Sequence, residues 1–362
     1  MGALKYLTLS GFLLLTGCQF GYIASSAYHQ AKILYDRTPL EQALQDPLLT
    51  AEEREKILLA KEALQFAETE FKLHGNGNYT SFVKLNRPYV SWAVSAAHSW
   101  ELKHHQFQYP IVGKMPYKGF FSEDDAQQEA KKLEKQNLDV YVRGITAYST
   151  LGWFRDPILS SMLAYKKHDL VNTIIHETVH TTLYIKNSAD FNERLAVFIG
   201  NLGTELFFKN KEGVDSPTLK IIQDENNADK IFSAFITQEL SDLENWYKLL
   251  PEQQRTPEIK EQRLSKIQEN FRSEIQPKLP AGSYKTFASR KLNNAYLMVF
   301  KTYMQDLSDF ERLYNLCNYD FKVFFDAIKT LEKHPKPEVG LKELIAQFKK
   351  DSEQTAPFHL TN

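Results

Sequence analysis

Hydrophobic residues recur at intervals of three or four positions through most of the chain, and this spacing is typical of one face of an α-helix. Between Gly21 and Phe71 it predicts two helices, with Pro39 and Pro47 between them. Beyond Asp169 almost every segment has the same spacing, namely residues 193–208, 228–250, 257–274, 292–314 and 319–331. The chain is therefore expected to be mostly helical.

A different pattern, rich in β-branched and aromatic residues, occupies part of the first half. Residues 89–95 and 108–113 are short segments of this kind, and residues 138–148 are the longest. A charged, helix-prone segment at residues 123–136 precedes that longest strand. These elements predict an α+β fold that is mostly α-helical and contains a small β-sheet.

The composition excludes several classes of protein. The 362 residues are 43% hydrophobic and 25% charged, close to the average of soluble globular proteins. Lys and Arg number 44 against 45 Asp and Glu, which gives a formal net charge of −1. The chain is therefore not disordered by composition, and without an excess of positive charge we expect no nucleic-acid partner. The oligomeric state is left open.

The beginning of the chain has the features of a secretion signal. Lys5 precedes an apolar run, residues 6–15, that is too short to span a bilayer. The run ends in Leu15-Thr16-Gly17-Cys18, which resembles the bacterial lipobox and implies removal of residues 1–17 and lipidation of Cys18. The next residue is Gln19, whereas Asp would retain such a protein at the inner membrane. We therefore expect a protein of the bacterial envelope, anchored by its N-terminal lipid in the outer membrane and facing the periplasm.

The strongest chemical signal is the HExxH pattern His176-Glu177-Thr178-Val179-His180. It lies in a segment that is apolar on most sides, with Asp169 as the expected N-cap. Residues four positions apart share one face of a helix, so the two imidazoles project side by side and suit one tetrahedral Zn²⁺. Glu177 is rotated by about 100° from His176, which suits a general base better than a ligand. The alternative is a pair of core histidines with satisfied hydrogen bonds.

A catalytic zinc site also needs a third protein ligand and an open position. Glu193 follows His180 by thirteen residues and begins an apolar segment. Its Asn-Glu-x-x-Ala pattern is the one by which Glu-type zincins supply a third ligand, and a turn through residues 186–188 lets this segment fold back. We predict a zinc site formed by His176, His180 and Glu193, although an acid in a first helical turn also suits the helix dipole.

In the expected mechanism, zinc polarises a water and the scissile carbonyl, and Glu177 takes the proton of the water and passes it to the leaving amine. The oxyanion needs a further donor, for which Tyr148 and Tyr303 are the candidates. Both belong to a chain with 18 tyrosines, most of which serve packing.

Substrate contacts are predicted in two places. The strand that ends at Tyr148 precedes the active-site helix, so its edge, including Gly144 and Ala147, is expected to pair with an extended peptide. In the helical half, Asn293 and Asn294 are expected either to line the substrate-binding groove or to form hydrogen bonds with the end of a helix.

A set of short segments is distributed along the chain: LTGC at 15–18, PIVG at 110–113, YKGFF at 117–121, DVY at 139–141, AYSTLGWF at 147–154, HETVH at 176–180, FNE at 191–193 and LNNA at 292–295. Together they resemble a bacterial family of predicted aminopeptidases that are lipoproteins. The resemblance implies metal binding by His176, His180 and Glu193, catalysis by Glu177, and cleavage at the N-terminus of a peptide.

These observations divide the chain into a signal peptide (1–17), an N-terminal helical segment (18–80), a zincin-like catalytic core with a small sheet and the HExxH helix (81–210), and a C-terminal helical domain (211–362). The expected function is that of a zinc-dependent peptidase, an aminopeptidase by the resemblance. The alternatives are an envelope endopeptidase or peptidoglycan-crosslink hydrolase, and a non-catalytic zinc-binding envelope lipoprotein.

Overall fold

The structure is a computed structural model that describes residues 21–109, 113–150, 152–304 and 306–355. Its helices are α1 (21–35), α2 (Leu40–Ala43), α3 (Ala51–Glu70), α4 (Glu123–Glu134), α5 (Lys167–Thr182), α6 (Ala189–Glu212), α7 (Pro217–Leu249), α8 (Pro257–Asn270), α9 (Lys285–Ser289), α10 (Asn294–Tyr303), α11 (Ser308–Leu316), α12 (Phe321–Lys329) and α13 (Pro337–Thr355). Its strands are β1 (Thr38–Pro39), β2 (Ser81–Val83), β3 (Ser91–His98), β4 (Phe107–Tyr109), β5 (Gly113–Met115), β6 (Tyr117–Phe120), β7 (Leu138–Ile145) and β8 (Ile158–Leu159). The predicted signal peptide and Cys18 lie outside the described residues.

The mostly helical α+β architecture is confirmed, with three differences in detail. The helix predicted over 292–314 is divided into α10 and α11, because the Asp306 carboxylate accepts the backbone N–H of Ser308 at 2.8 Å and starts a new helix there. Helix α5 begins three residues earlier than predicted, so its N-cap position is Lys166 and Asp169 lies in the first turn. The strand predicted over 108–113 contributes to two short strands, β4 and β5, that pair with each other.

The largest sheet has the order β6–β3–β7 and is antiparallel throughout. Side chains of the central strand alternate between its two faces. Trp92, Val94 and Ala96 pack with α4 in one hydrophobic cluster, whereas Ala97 belongs to a second cluster with α7, α8 and α10. The sheet is therefore covered on both faces.

A further hydrophobic cluster joins the two ends of the chain to the centre. It extends from Ile33 near the end of α1 to Ile345 in α13, and it includes the apolar face of α5. Within the described residues, no helix is both long enough and apolar enough to cross a membrane. The boundaries predicted between segments stay a prediction, but the packing of α5 depends on residues from several of them.

Asn293 and Asn294 hold the start of α10 against the sheet. The Asn293 side chain accepts the N–H of Tyr296 at 2.8 Å, and so caps the helix, and donates to the Val140 carbonyl at 2.9 Å. Asn294 is fully buried. Of the two predicted roles for this pair, the structure therefore supports the bond to a helix end for Asn293.

We predict that Asn294→Ala lowers the thermal stability of the protein. Its side chain accepts from the Tyr247 hydroxyl at 2.8 Å and donates to the carbonyls of His98 and Ser99 at 2.8 and 3.1 Å. Loss of these buried bonds costs about 2–4 kcal/mol, which lowers the unfolding midpoint by several degrees. Thermal denaturation followed by circular dichroism measures the effect. The matched control is Asn227→Ala at an exposed position of α7, and equal midpoints for the two variants would contradict the assignment.

Candidate metal centre and groove

Helix α5 carries the HExxH residues and is held in one rotation about its axis by burial. Its apolar side chains are fully buried between α3 and α6, namely Leu170, Val171, Ile174, Ile175 and Val179. Because that surface cannot turn toward solvent without a large loss of burial, the face at His176, Glu177 and His180 is fixed toward the remaining open side.

The turn between α5 and α6 is closed by one amide side chain. Asn192 accepts the backbone N–H of Ile185 at 2.9 Å and donates to the Ile185 carbonyl at 2.8 Å. Both groups of the amide are thereby satisfied in a side chain that is 2% exposed. The sequence interpretation used Asn192 only as part of a pattern, and its structural role is to set where Glu193 lies.

The three predicted ligands converge on one point. The Glu193 Oε2 atom lies 3.5 Å from His176 Nε2 and 3.7 Å from His180 Nε2, and the two Nε2 atoms are 3.2 Å apart. His180 and Glu193 are buried, and His176 is half-buried. The structure thus brings together residues from two helices that are separated by a turn.

These distances fit the donor set of a zinc ion. Ligand atoms about 2.1 Å from a tetrahedral zinc are about 3.4 Å apart, close to all three separations. On the other side of the His180 ring, Nδ1 is buried and has no hydrogen-bond partner within the described part of the chain. The polar contacts of this buried imidazole are therefore on its Nε2 side, where a metal would bind.

The histidines also control the charge of Glu193. Burial alone would raise the pKa of this carboxyl, but the charge on His180 and hydrogen bonds with both histidines outweigh burial and hold the pKa well below its usual range. Glu193 is therefore an anion, as a carboxylate ligand must be.

Glu177 has the opposite electrostatic environment. Burial raises the pKa of its carboxyl to about 7, and the charges of Glu193 and Asp156 act in the same direction. His176 and a hydrogen bond from the backbone N–H of Ser149 lower the pKa by less. A carboxyl with a pKa near neutrality can both accept and release a proton, which a general acid–base catalyst requires.

The candidate ligands and Glu177 lie in the wall of a groove with a volume of about 830 Å³. Residues from α1, from β6 and from the end of β7 form the other walls. The described lining residues that bear a carboxylate are Glu177 and Glu193, and the one Lys or Arg among them is Arg143. The groove is large enough for a short peptide.

The predicted substrate strand borders this groove. Gly144, Ala147 and Tyr148 are all lining residues. A Cβ atom at Gly144 would lie 2.4 Å from the ring of Tyr89, so glycine is required here for packing as well as for any close approach of a substrate. Asn293 and Asn294 are not among the described lining residues, because their side chains are used in the junction between α10 and the sheet.

Of the two tyrosines predicted as oxyanion donors, Tyr148 lines the groove. The Tyr148 hydroxyl donates to Gln30 Oε1 at 2.5 Å, so its hydrogen is directed at α1. Tyr303 is the last residue of α10, and its side chain lies outside the described ones. Among the groove tyrosines that the sequence interpretation missed, two lie near the HExxH residues. Burial raises the pKa of Tyr165, and the charge of Glu177 raises it further. The ring centre of Tyr184 is 6.5 Å from that of His180. Tyr184 lies two residues beyond the end of α5, so helical spacing from His180 does not identify it.

A second group of potential ligands, His168, Asp169 and Glu225, has an ordinary explanation. Glu225 accepts from Lys166 at 2.8 Å and contacts His168 at 2.8 Å. The cluster is an ion-pair network that joins the start of α5 to α7, and we assign no metal to it.

Comparison with known proteins gives one match. A family model described as "Putative aminopeptidase" matches residues 21–341, which include every candidate residue of the metal centre. No curated protein and no solved structure matches the chain.

We predict that the stability of the protein depends on pH through Asp156. Burial raises the pKa of this carboxyl from 3.8 to about 6, against hydrogen bonds from Thr150 that lower it. The folded state therefore holds the proton to a higher pH than the unfolded chain does, and stability is lost as pH rises between about 4 and 6. Asp156→Asn has no carboxyl to titrate at this position. Its free energy of unfolding should therefore rise relative to that of the parent by up to about 3 kcal/mol across that range.

Denaturant titrations of both proteins at several pH values provide the measurement. Asp124→Asn, at an exposed position of α4, is the control. Parallel pH profiles for the parent and Asp156→Asn would show that the buried carboxyl does not titrate in this way.

Proposed function

We propose that the chain, which belongs to the putative aminopeptidase family, is a zinc-dependent peptidase and specifically an aminopeptidase. The observation that carries the proposal is the convergence of His176, His180 and Glu193 on one point, beside Glu177 and in the wall of a peptide-sized groove. The family description supports a peptidase, and the donor set supports zinc as its metal.

In this proposal, His176, His180 and Glu193 hold the ion, which supplies a polarised carbonyl and a more acidic water when bound. Glu177 accepts the proton of the attacking water and passes it to the nitrogen of the leaving amine. The backbone N–H of Ser149 orients the Glu177 carboxylate.

The substrate is proposed to lie along the edge of β7, with Gly144 and Ala147 beside its backbone. The oxyanion would be stabilised by a tyrosine hydroxyl in addition to the ion. Tyr148 and Tyr303 remain the predicted candidates, and the position of Tyr165 in the groove, close enough to Glu177 for their charges to interact, adds a third.

One observation favours an endopeptidase as the second candidate. An aminopeptidase holds the ammonium group of its substrate, usually with a carboxylate, but the described lining residues offer only Glu177 and Glu193. The Asp156 carboxylate already accepts a hydrogen bond from the Thr150 hydroxyl. The Asp139 carboxylate accepts from the Lys260 ammonium and from the backbone N–H of Asn294. If the ammonium has no acidic partner of its own, internal peptide bonds become suitable substrates.

The proposed location is the bacterial envelope, with Cys18 carrying the lipid and the groove facing the periplasm. Its support is the sequence of residues 15–18. The proposed partners are the membrane, through this lipid, and a peptide substrate.

We predict that the parent protein binds one zinc ion and that Glu193→Ala loses at least about 10-fold in affinity, because one of three ligands is removed. Zinc content after dialysis, measured by mass spectrometry, and titration calorimetry test this. Glu212→Ala, at an exposed position of the same helix α6, should bind zinc like the parent. Equal zinc affinity for the parent and Glu193→Ala would exclude the proposed ligand set.

We also predict that Glu177→Gln lowers kcat by at least about 10²-fold while zinc content is retained, since the amide keeps the shape of the side chain but cannot accept a proton. Activity is measured on short peptides with a free or an acetylated N-terminus. Hydrolysis of free peptides alone would support the aminopeptidase, and hydrolysis of both would support the endopeptidase. Equal activity of parent and variant would instead favour a zinc protein without this catalytic mechanism.

A further inference from the structure

Helix α1 forms one wall of the groove that contains the metal-binding cluster. Tyr22, Ser26 and Gln30 line the groove. They are spaced four residues apart and therefore share one face of the helix. The opposite face includes Ser25 and Tyr28, which are exposed. The helix thus separates the interior of the groove from solvent.

Several specific contacts hold α1 in this position. At its start, the Tyr22 hydroxyl donates to the Gly119 carbonyl at 2.9 Å, and the ring of Tyr22 meets that of Phe120 edge to face at 5.5 Å. In its middle, the ring of His29 stacks on Phe121 at 5.4 Å. These contacts connect α1 to β6 and to the residue that follows it, on the side of the sheet edge opposite α5.

The part of the groove beside α1 is aromatic. Its described side chains include the rings of Tyr22, Tyr109, Tyr117, Phe120, Phe121 and Tyr148. Lys118 lies over the rings of Tyr22 and Phe120 but pairs with Glu129 at 2.8 Å and is not a lining residue. The charged groups of the lining are therefore Arg143 and the residues of the metal centre.

Gln30 places an amide side chain on this wall. Its Oε1 atom accepts the hydroxyl of Tyr148. Its Nε2 atom is buried and has no hydrogen-bond partner among the described residues. A buried amide donor without an acceptor is costly.

We propose that α1 is a substrate-binding wall, and that it forms with β6 and Tyr148 a pocket for a large apolar or aromatic side chain of the peptide. This inference rests on the proposed peptidase function and names its substrate class. An aromatic side chain would bury its surface against the rings, whereas a charged side chain would lose hydration without a dedicated partner.

The test first measures binding to zinc-loaded Glu177→Gln protein, so that cleavage does not interfere. Three peptides that differ only in a Phe, Asp or Lys residue are compared by titration calorimetry. The Phe peptide should bind at least about 10-fold more tightly than the other two. Equal affinities would overturn the proposal, and tighter binding of the Asp peptide would assign recognition to Arg143 instead.

The second arm fills the pocket. Ser26→Trp places an indole inside the groove and should remove the preference for Phe, while Ser25→Trp, the adjacent residue on the exposed face, should leave it intact. Ser26→Leu, which adds less volume, should give an intermediate loss if the larger variant unfolds. Unchanged preference in Ser26→Leu and Ser26→Trp, or faster hydrolysis in either on the active background, would show that α1 is not a binding wall.

The two proposals fail in different ways. If the Phe peptide binds preferentially but the parent hydrolyses none of the three, the pocket assignment holds and the peptidase function is wrong. If the parent hydrolyses all three with equal kcat/KM and they bind equally, the peptidase function holds and the pocket assignment is wrong.

Discussion

The antiparallel pairing of α5 and α6 is the constraint on which the candidate site depends. The histidines of α5 occupy fixed positions because the apolar face of that helix is fully buried. The carboxylate must then approach from α6 at one particular register, and Asn192 sets that register through its two hydrogen bonds to Ile185. A shift of one residue would rotate the Glu193 side chain by about 100° around α6 and leave a buried amide unsatisfied. The turn and the ligand are therefore one structural unit.

Arg194, the residue after Glu193, connects the same turn of α6 to the C-terminal half of the chain. The Arg194 side chain is buried. It donates hydrogen bonds to the backbone carbonyl of Asp306 at 2.6 Å and to the carboxylate of Glu338 at 2.5 Å. Its guanidinium also lies 5.1 Å from the ring centre of Phe310. Glu193 is thus held between a turn on one side and helices α11 and α13 on the other. A guanidinium buried in this way is stable only while its partners stay in place. Residues well beyond position 210 consequently support the metal centre, although they contribute no ligand.

The sequence was sufficient for features that depend on local spacing, and insufficient for those that depend on contacts between distant segments. The i, i+4 rule placed His176 and His180 together, and the short turn before Glu193 limited where that carboxylate could reach. Residue composition identified β7. By contrast, the bond between Tyr148 and Gln30 joins residues 118 positions apart, so no periodicity indicates it. Asn294 is a similar case. The sequence pattern around an asparagine in a helical segment is the same whether its side chain binds a substrate or the carbonyls of a neighbouring strand.

The segment after β7 connects the proposed substrate position to Glu177, the proposed general base. Gly144 and Ala147 border the groove, and two residues beyond Ala147 the backbone N–H of Ser149 donates to Glu177. Thr150 then binds Asp156 through both its N–H and its hydroxyl, at 2.8 Å each. Because Asp156 is itself 5% exposed, this short stretch of backbone is fixed at both ends. In the proposed mechanism, a peptide paired with the β7 edge would therefore be placed in a set register relative to the Glu177 carboxylate, which is the positional control that hydrolysis of one chosen bond requires.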